Sequence, residues 1–137
     1  MNFKRESLDI KIPFRRHEDD AGWDLYSPIT ITIKPGKTET IDLGLSFEVP
    51  WGYHGLIVER SSQGKAGVMC LGPIIDSGYT GNVHAILYNS GTGDYLVTKG
   101  DRICQLLLMA QFTGELHEVT KLTNSERGSK GLGSSGK

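Results

Sequence analysis

An all-β sandwich, barrel or jelly roll is the fold class this sequence predicts, and three observations carry it. Across 41–49 apolar and polar residues alternate without a break, with Ile41, Leu43, Leu45, Phe47 and Val49 on one face. That is the period of a half-buried strand. Eighteen of the 137 residues are glycine, nearly twice the usual share of about 7%, which favours tight turns over long helices. The other apolar runs are short and are closed by glycine or proline, as strand-and-turn units are.

In chain order, 29–33 alternates and stops at Pro35-Gly36, a turn. The 41–49 strand follows and ends at Pro50 and Gly52. Residues 53–58 and 83–88 read as further strands, the second reached through Gly78 and Gly81 and left through Asn89-Ser90-Gly91. Residues 103–112 are apolar at 103, 106, 107 and 110, which also suits a helix capped by Asp101. All their neighbours are strands and turns, so we assign a buried strand. No internal repeat is visible. The length suits one domain, which we divide into a β domain, 1–123, and a Gly/Ser-rich C-terminal arm, 124–137.

Composition removes several classes. Fifteen Lys and Arg against sixteen Asp and Glu give a net charge of −1, so no basic field for nucleic acid is expected. No apolar run approaches a membrane span, and Met1 to Ser7 lack a signal peptide's apolar core. No membrane partner is expected. Cys70 and Cys104 have no metal spacing and read as reduced thiols, and His17, His54, His84 and His117 are scattered singly. A cytoplasmic protein without a zinc site is expected, or one of the host cytoplasm or nucleus if its source is viral.

Five stretches are richer in chemistry than a β scaffold needs. They are Ala21-Gly-Trp-Asp-Leu-Tyr-Ser27, Arg60-Ser-Ser-Gln-Gly64, Gly72-Pro-Ile-Ile-Asp-Ser-Gly-Tyr-Thr-Gly-Asn82, Gly100-Asp-Arg-Ile-Cys-Gln105, and the arm from Ser125 to Lys137. Together they offer carboxylates, cations and hydroxyls on loops, the set that holds a magnesium-bound polyphosphate while a carboxylate activates water. Singly, each has a plain structural alternative. Asp24 and Asp101 suit turns or caps, Arg60 can pair with Glu59 or Asp101, and Tyr79 suits a core edge. The arm, with Arg127 and Lys130 set among glycines and hydroxyls, can be a frayed terminus or an anion wrap. It is not a P-loop, since no Ser or Thr follows Gly136-Lys137.

In this order the five stretches resemble the five motifs of the trimeric deoxyuridine triphosphatases (dUTPases). That family's patterns run Ala-Gly-x-Asp-Leu, Arg-Ser-Ser, Gly-Val-Ile-Asp-x-x-Tyr-x-Gly, Gly-x-Arg-x-x-Gln-Leu and Arg-Gly-x-x-Gly-Phe-Gly-Ser-Thr-Gly. The likeness runs from Ala21 to the C-terminus. It implies a small jelly roll of the β-clip type, a homotrimer whose active sites draw on different subunits, and magnesium-dependent hydrolysis of dUTP to dUMP and pyrophosphate. Such an enzyme keeps uracil out of DNA and supplies dUMP.

Carried across, the resemblance makes Asp76 the residue that orients and deprotonates the attacking water. Tyr79 lies beneath the deoxyribose, leaving no room for a 2′-hydroxyl. The hairpin 71–82, with Leu71, Ile75 and Asn82, reads uracil through backbone groups. Asp24 holds Mg2+ through water, Ser61, Ser62, Gln63 and Gln105 meet the phosphates, and Arg60 buttresses the site. The arm becomes a lid in which Arg127, with Leu132, Gly133, Ser134 and Ser135, closes on the substrate. Ordering it costs about 1–2 kcal/mol per residue, which the triphosphate's charge must offset.

Two departures stand out: Leu132 occupies the place of an aromatic that stacks on uracil, and Pro73 that of a glycine, removing an N–H. Two alternatives share the fold. A dCTP deaminase needs a glutamate at the cytosine amino group, and the 76–82 hairpin offers none. A nucleotide-gated regulatory binding protein usually carries an inserted segment, and none is evident in this chain.

Overall fold

The computed structural model describes residues 1–129. Every strand pairing in it is antiparallel. A four-stranded sheet runs β2 (Gly22–Tyr26), β11 (Arg102–Ala110), β6 (Tyr53–Val58), β8 (Ile74–Ile75). A three-stranded sheet runs β4 (Thr38–Asp42), β9 (His84–Asn89), β7 (Val68–Cys70), and two ribbons pair β1 (Phe3–Arg5) with β5 (Leu45–Phe47) and β3 (Ile31–Ile33) with β10 (Tyr95–Val97). One helical turn, α1 (Ser61–Lys65), follows β6. The inward residues of every strand but β1 meet in one core, with Leu25, Ile33, Ile41, Ile57, Leu87 and Leu106 fully buried. Asn89 is buried among them and satisfied, its amide donating to the carbonyls of Ile33 and Gly93 and accepting from the Gly91 N–H.

The long strand expected over 41–49 is two strands. Ile41, Leu43, Leu45, Phe47 and Val49 are buried as the sequence says, but Gly44 between them is buried too and sits at φ +59°, a left-handed conformation that L side chains rarely adopt. That kink sends β4 to pair with β9 and β5 to pair with β1. The strand expected over 29–33 begins only at Ile31, because the Ser27 hydroxyl donates to the Ile29 carbonyl and holds a turn. Residues 53–58 form β6 as predicted, and 83–88 form β9 shifted by one residue.

The ambiguous segment is a strand, β11. Between Arg102 and Cys104 its register against β2 slips, so that Ile103 and Cys104 are consecutive and both buried. The bulge resets the phase of a period-two pattern, which explains why the apolar spacing imitates a helix. Asp101 does not cap a helix; its carboxylate accepts the Thr98 N–H and closes the preceding turn. Past Ala110 no helix or strand follows among the described residues, and Phe112, Leu116 and Leu122 are exposed.

Candidate active site

The sheet brings three of the expected site residues together. Asp24 on β2 lies directly opposite Gln105 on β11, and Gln105 lies opposite Val58 near the end of β6. Two residues beyond Val58, Arg60 opens α1 and turns back across the sheet, its Nε donating to Asp24 Oδ1 at 2.7 Å. The other carboxylate oxygen accepts Arg102 Nη1 at 3.0 Å. Arg60 therefore pairs with Asp24, and with neither Glu59 nor Asp101. Gln105 donates Nε2 to the Glu59 carbonyl at 3.0 Å, pinning the chain just before Arg60. Both thiols are free.

A cavity of about 240 Å³ opens beside this junction, lined by Arg15, Arg16, Asp20, Asp24, Arg60 and Gln105 among others. Two of its cations escaped the sequence reading. Backbone hydrogen bonds between Phe14 and Asp24 in both directions, at 3.1 and 2.7 Å, lay residues 14–16 along the edge of β2. Arg15 then stacks over the Trp23 ring at 4.8 Å, and the exposed Arg16 side chain makes no hydrogen bond or ion pair among the described residues. The signal was the dipeptide Arg15-Arg16 itself, which spacing alone could not bring to the cavity. Arg102 was missed as a partner of Asp24 because ordinary alternation places 102 and 105 on opposite faces; the bulge re-aims it.

Of the remaining α1 residues, Ser61 and Ser62 are exposed. Gln63 is 2% exposed; its Oε1 accepts the Arg60 N–H at 3.2 Å and its buried Nε2 has no partner among the described residues. Ile75 is likewise in the core, while Leu71 is half exposed.

The hairpin 71–82 lies on the opposite flank of the four-stranded sheet, continuing from β8. Asp76 is exposed and its carboxylate makes no hydrogen bond among the described residues; its carbonyl accepts the Tyr79 N–H at 3.1 Å. Tyr79 donates its hydroxyl to the Asn82 carbonyl at 2.9 Å. Pro73 has no N–H, and its carbonyl accepts from Ile57 N at 3.2 Å, so the sheet already uses the polar group that residue has. A second cavity, of about 350 Å³, is lined here by Pro73, Ile74, Ile75, Tyr79, Asn82 and His84 among others. It shares no lining residue with the first.

Arg127 is described and exposed. Lys130, Leu132, Gly133, Ser134 and Ser135 lie outside the described residues.

The donor set bears on a metal. No group of three His, Cys, Asp or Glu side chains converges among the described residues, so no ready cage exists for a bare cation. Each Asp24 oxygen spends one acceptor position on a guanidinium and keeps another for a water. That suits Mg2+ that arrives on a polyphosphate and is touched by Asp24 only through its hydration shell.

Fold and site thus define a β protein with a junction of carboxylate, guanidinium and amide groups, and a separate aromatic hairpin whose carboxylate makes no hydrogen bond among the described residues. Comparison with known proteins narrows the class. The family model for dUTPase matches residues 9–136. The deoxyuridine 5′-triphosphate nucleotidohydrolases of cowpox virus (strain GRI-90 / Grishak) and vaccinia virus (strain Copenhagen) are each 38% identical over 99% of this chain and 92% of theirs. Among solved structures, the Staphylococcus bacteriophage 80alpha dUTPase with dUpNHpp superposes with a TM-score of 0.92, at 30% identity, over 98% of this chain and 97% of that one. A dUTPase from phage phi11 of S. aureus, solved for the coordination of a structural Mg(II) ion, shares the fold at a TM-score of 0.82 and 24% identity, over 88% of this chain and 96% of that one. The chain belongs to the dUTPase family.

Proposed function

We propose that this protein hydrolyses dUTP to dUMP and pyrophosphate in a site assembled from the two cavities described above, contributed by different copies of the chain in a homotrimer. The observation that carries the reading is the convergence of Asp24, Arg60 and Gln105, from β2, α1 and β11, on one cavity, with Arg102 joined to them through Asp24. That junction carries guanidinium and amide groups suited to phosphate oxygens.

Sheet geometry supports a shared site. Val58 stands in the row of Asp24 and Gln105, whereas β8 pairs with β6 at Gly55 and Leu56, and Asp76 follows one residue past Ile75. Counting about 3.4 Å per residue along the strands and about 4.8 Å per strand across them places Asp76 roughly 20 Å from Asp24. Within one chain that is too far for both to reach the same phosphoryl group. A second copy supplying its hairpin brings them together.

In the assembled site, Asp76 accepts a proton from the attacking water and holds it in line with phosphorus, a role its unengaged carboxylate suits. Tyr79 lies beneath the deoxyribose, and the hairpin reads uracil through backbone groups at Leu71, Ile75 and Asn82. The Ser61 and Ser62 hydroxyls and Gln105 take phosphate oxygens. Gln63, being buried, shapes the turn that presents the two serines. Arg60 is held rigid by Asp24, and Arg127 closes from the arm together with Leu132, Gly133, Ser134 and Ser135. Bound with the triphosphate, Mg2+ would neutralise its charge and orient it, with Asp24 hydrogen-bonded to a water of its shell.

Pyrophosphate release in Mg2+, measured on dUTP, dCTP, dTTP and UTP in parallel, tests the function. Fast release from dUTP alone, lost in Asp76→Asn, is the expected result. A folded protein inert toward dUTP contradicts the reading.

A further inference from the structure

We infer that Glu6 and Asp42 are positioning residues that set how strictly the site rejects a ribose, by clamping Asn82 and through it the Tyr79 ring. The inference rests on the dUTP reading above. Asn82 Nδ2 donates to Glu6 Oε1 at 2.6 Å and to Asp42 Oδ2 at 3.1 Å. Both of its hydrogens are therefore spent on carboxylates from segments distant in sequence, and such charge-assisted bonds are roughly twice as strong as neutral ones. The main-chain carbonyl of the same residue accepts the Tyr79 hydroxyl at 2.9 Å.

The same end of the ring is also held by packing. A β-carbon at Gly81 would lie 2.5 Å from the Tyr79 hydroxyl oxygen, so the phenol end lies directly against the Gly81 backbone. One residue, Gly44, holds both acids, Glu6 by its main chain and Asp42 by its carboxylate. Its carbonyl accepts the Glu6 N–H at 3.0 Å, and its N–H donates to Asp42 Oδ1 at 2.8 Å. The kink between β4 and β5 thus serves a second purpose: it holds two acids side by side to grip one amide. A hairpin that short could not fix an aromatic ring by itself.

Rejection of a 2′-hydroxyl by crowding depends on ring placement, and a misplacement of about 1 Å can change a rate by roughly 100-fold. Releasing the clamp should admit UTP more than it slows dUTP. The test is kcat/KM for dUTP and UTP with Mg2+ in wild type, Glu6→Ala, Glu6→Gln and Asn82→Ala. Glu6→Ala is expected to raise the UTP-to-dUTP ratio about tenfold, while Glu6→Gln, which keeps an acceptor oxygen, stays within about twofold. Asn82→Ala removes both carboxylate contacts but keeps the carbonyl that Tyr79 uses, and must raise the ratio at least as far; it decides the matter if Glu6→Ala does not fold. Ratios equal to wild type in folded variants, whatever their melting temperatures, overturn the inference. A wild type inert toward dUTP overturns the proposed function instead.

Discussion

Asp24 accepts the Nε–H of Arg60 at 2.7 Å across the four-stranded sheet, with side chains only 19% and 24% exposed. The pair lies between two regimes: a fully exposed ion pair contributes little, and a fully buried one suffers a large desolvation cost. Here the second carboxylate oxygen meets Arg102 at 3.0 Å, so one acid holds two guanidinium groups beside the cavity that Asp24 and Arg60 line.

Removing that acid leaves two cations facing each other. Asp24→Ala is expected to lower stability by about 1–3 kcal/mol, the scale of hydrogen bonds to charged groups, and to abolish dUTP turnover. Urea unfolding checks the first, and pyrophosphate release the second. Stability unchanged within error would mean that the junction contributes nothing to the fold.

Arg16 stands exposed at the same cavity without a hydrogen bond or ion pair among the described residues. In the proposed site its charge would face the terminal phosphates. Arg16→Ala is expected to weaken dUpNHpp binding about three- to tenfold, with dUMP affinity unchanged and a shallower salt dependence. Calorimetric titration of both ligands at two ionic strengths is the check.

Acid should loosen the Asn82 clamp. Burial raises the Asp42 carboxyl, but hydrogen bonds from the Gly44 N–H and Asn82, with the charge of His84, outweigh it and hold the group below its ordinary 3.8. A depressed carboxyl contributes stability that is fully present above the unfolded value and is lost as pH falls through the folded one. Asp42→Asn should therefore be less stable than wild type at pH 7. The gap should narrow below about pH 4, which denaturant unfolding across pH will show.

Both thiols should be inert in the folded protein. Burial pushes Cys70 up to about 11, and it pushes the still more enclosed Cys104 well above its ordinary value. At neutral pH the Cys70 thiolate is on the order of one part in a thousand or less. Labelling with a thiol reagent should be slow in buffer and reach two equivalents per chain in denaturant. Rapid labelling of the native protein would contradict the packing around both residues.

The sequence makes the strands visible wherever one face meets the core, as in Ile41 to Val49, because period-two burial needs no long-range information. It hides what depends on the third dimension. The split at Gly44 is silent because inward alternation continues through the kink while the pairing partner changes. The bulge at Ile103 makes β11 look helical and conceals that Arg102 reaches Asp24. The short strands β1, β7, β8 and β10, of two or three residues, carry too few positions for a pattern. Motif chemistry marks Asp24, Arg60, Asp76 and Gln105 as candidate site residues, but that Asp76 lies on the opposite flank of the sheet from the other three follows only from sheet register. Arg16 and Glu6 belong to no motif; only the cavity that Arg16 lines with Asp24, and the hydrogen bond that Glu6 accepts from Asn82, give them a role.

The most direct test of the account is to co-express two inactive chains, Asp24→Ala and Asp76→Asn, and measure dUTP turnover of the mixed assembly. If hairpin and junction meet between copies, about a quarter of the sites in randomly mixed trimers combine two intact halves, and activity should return to roughly that fraction of wild type. Mixed assemblies as inactive as either parent would contradict a site divided between copies.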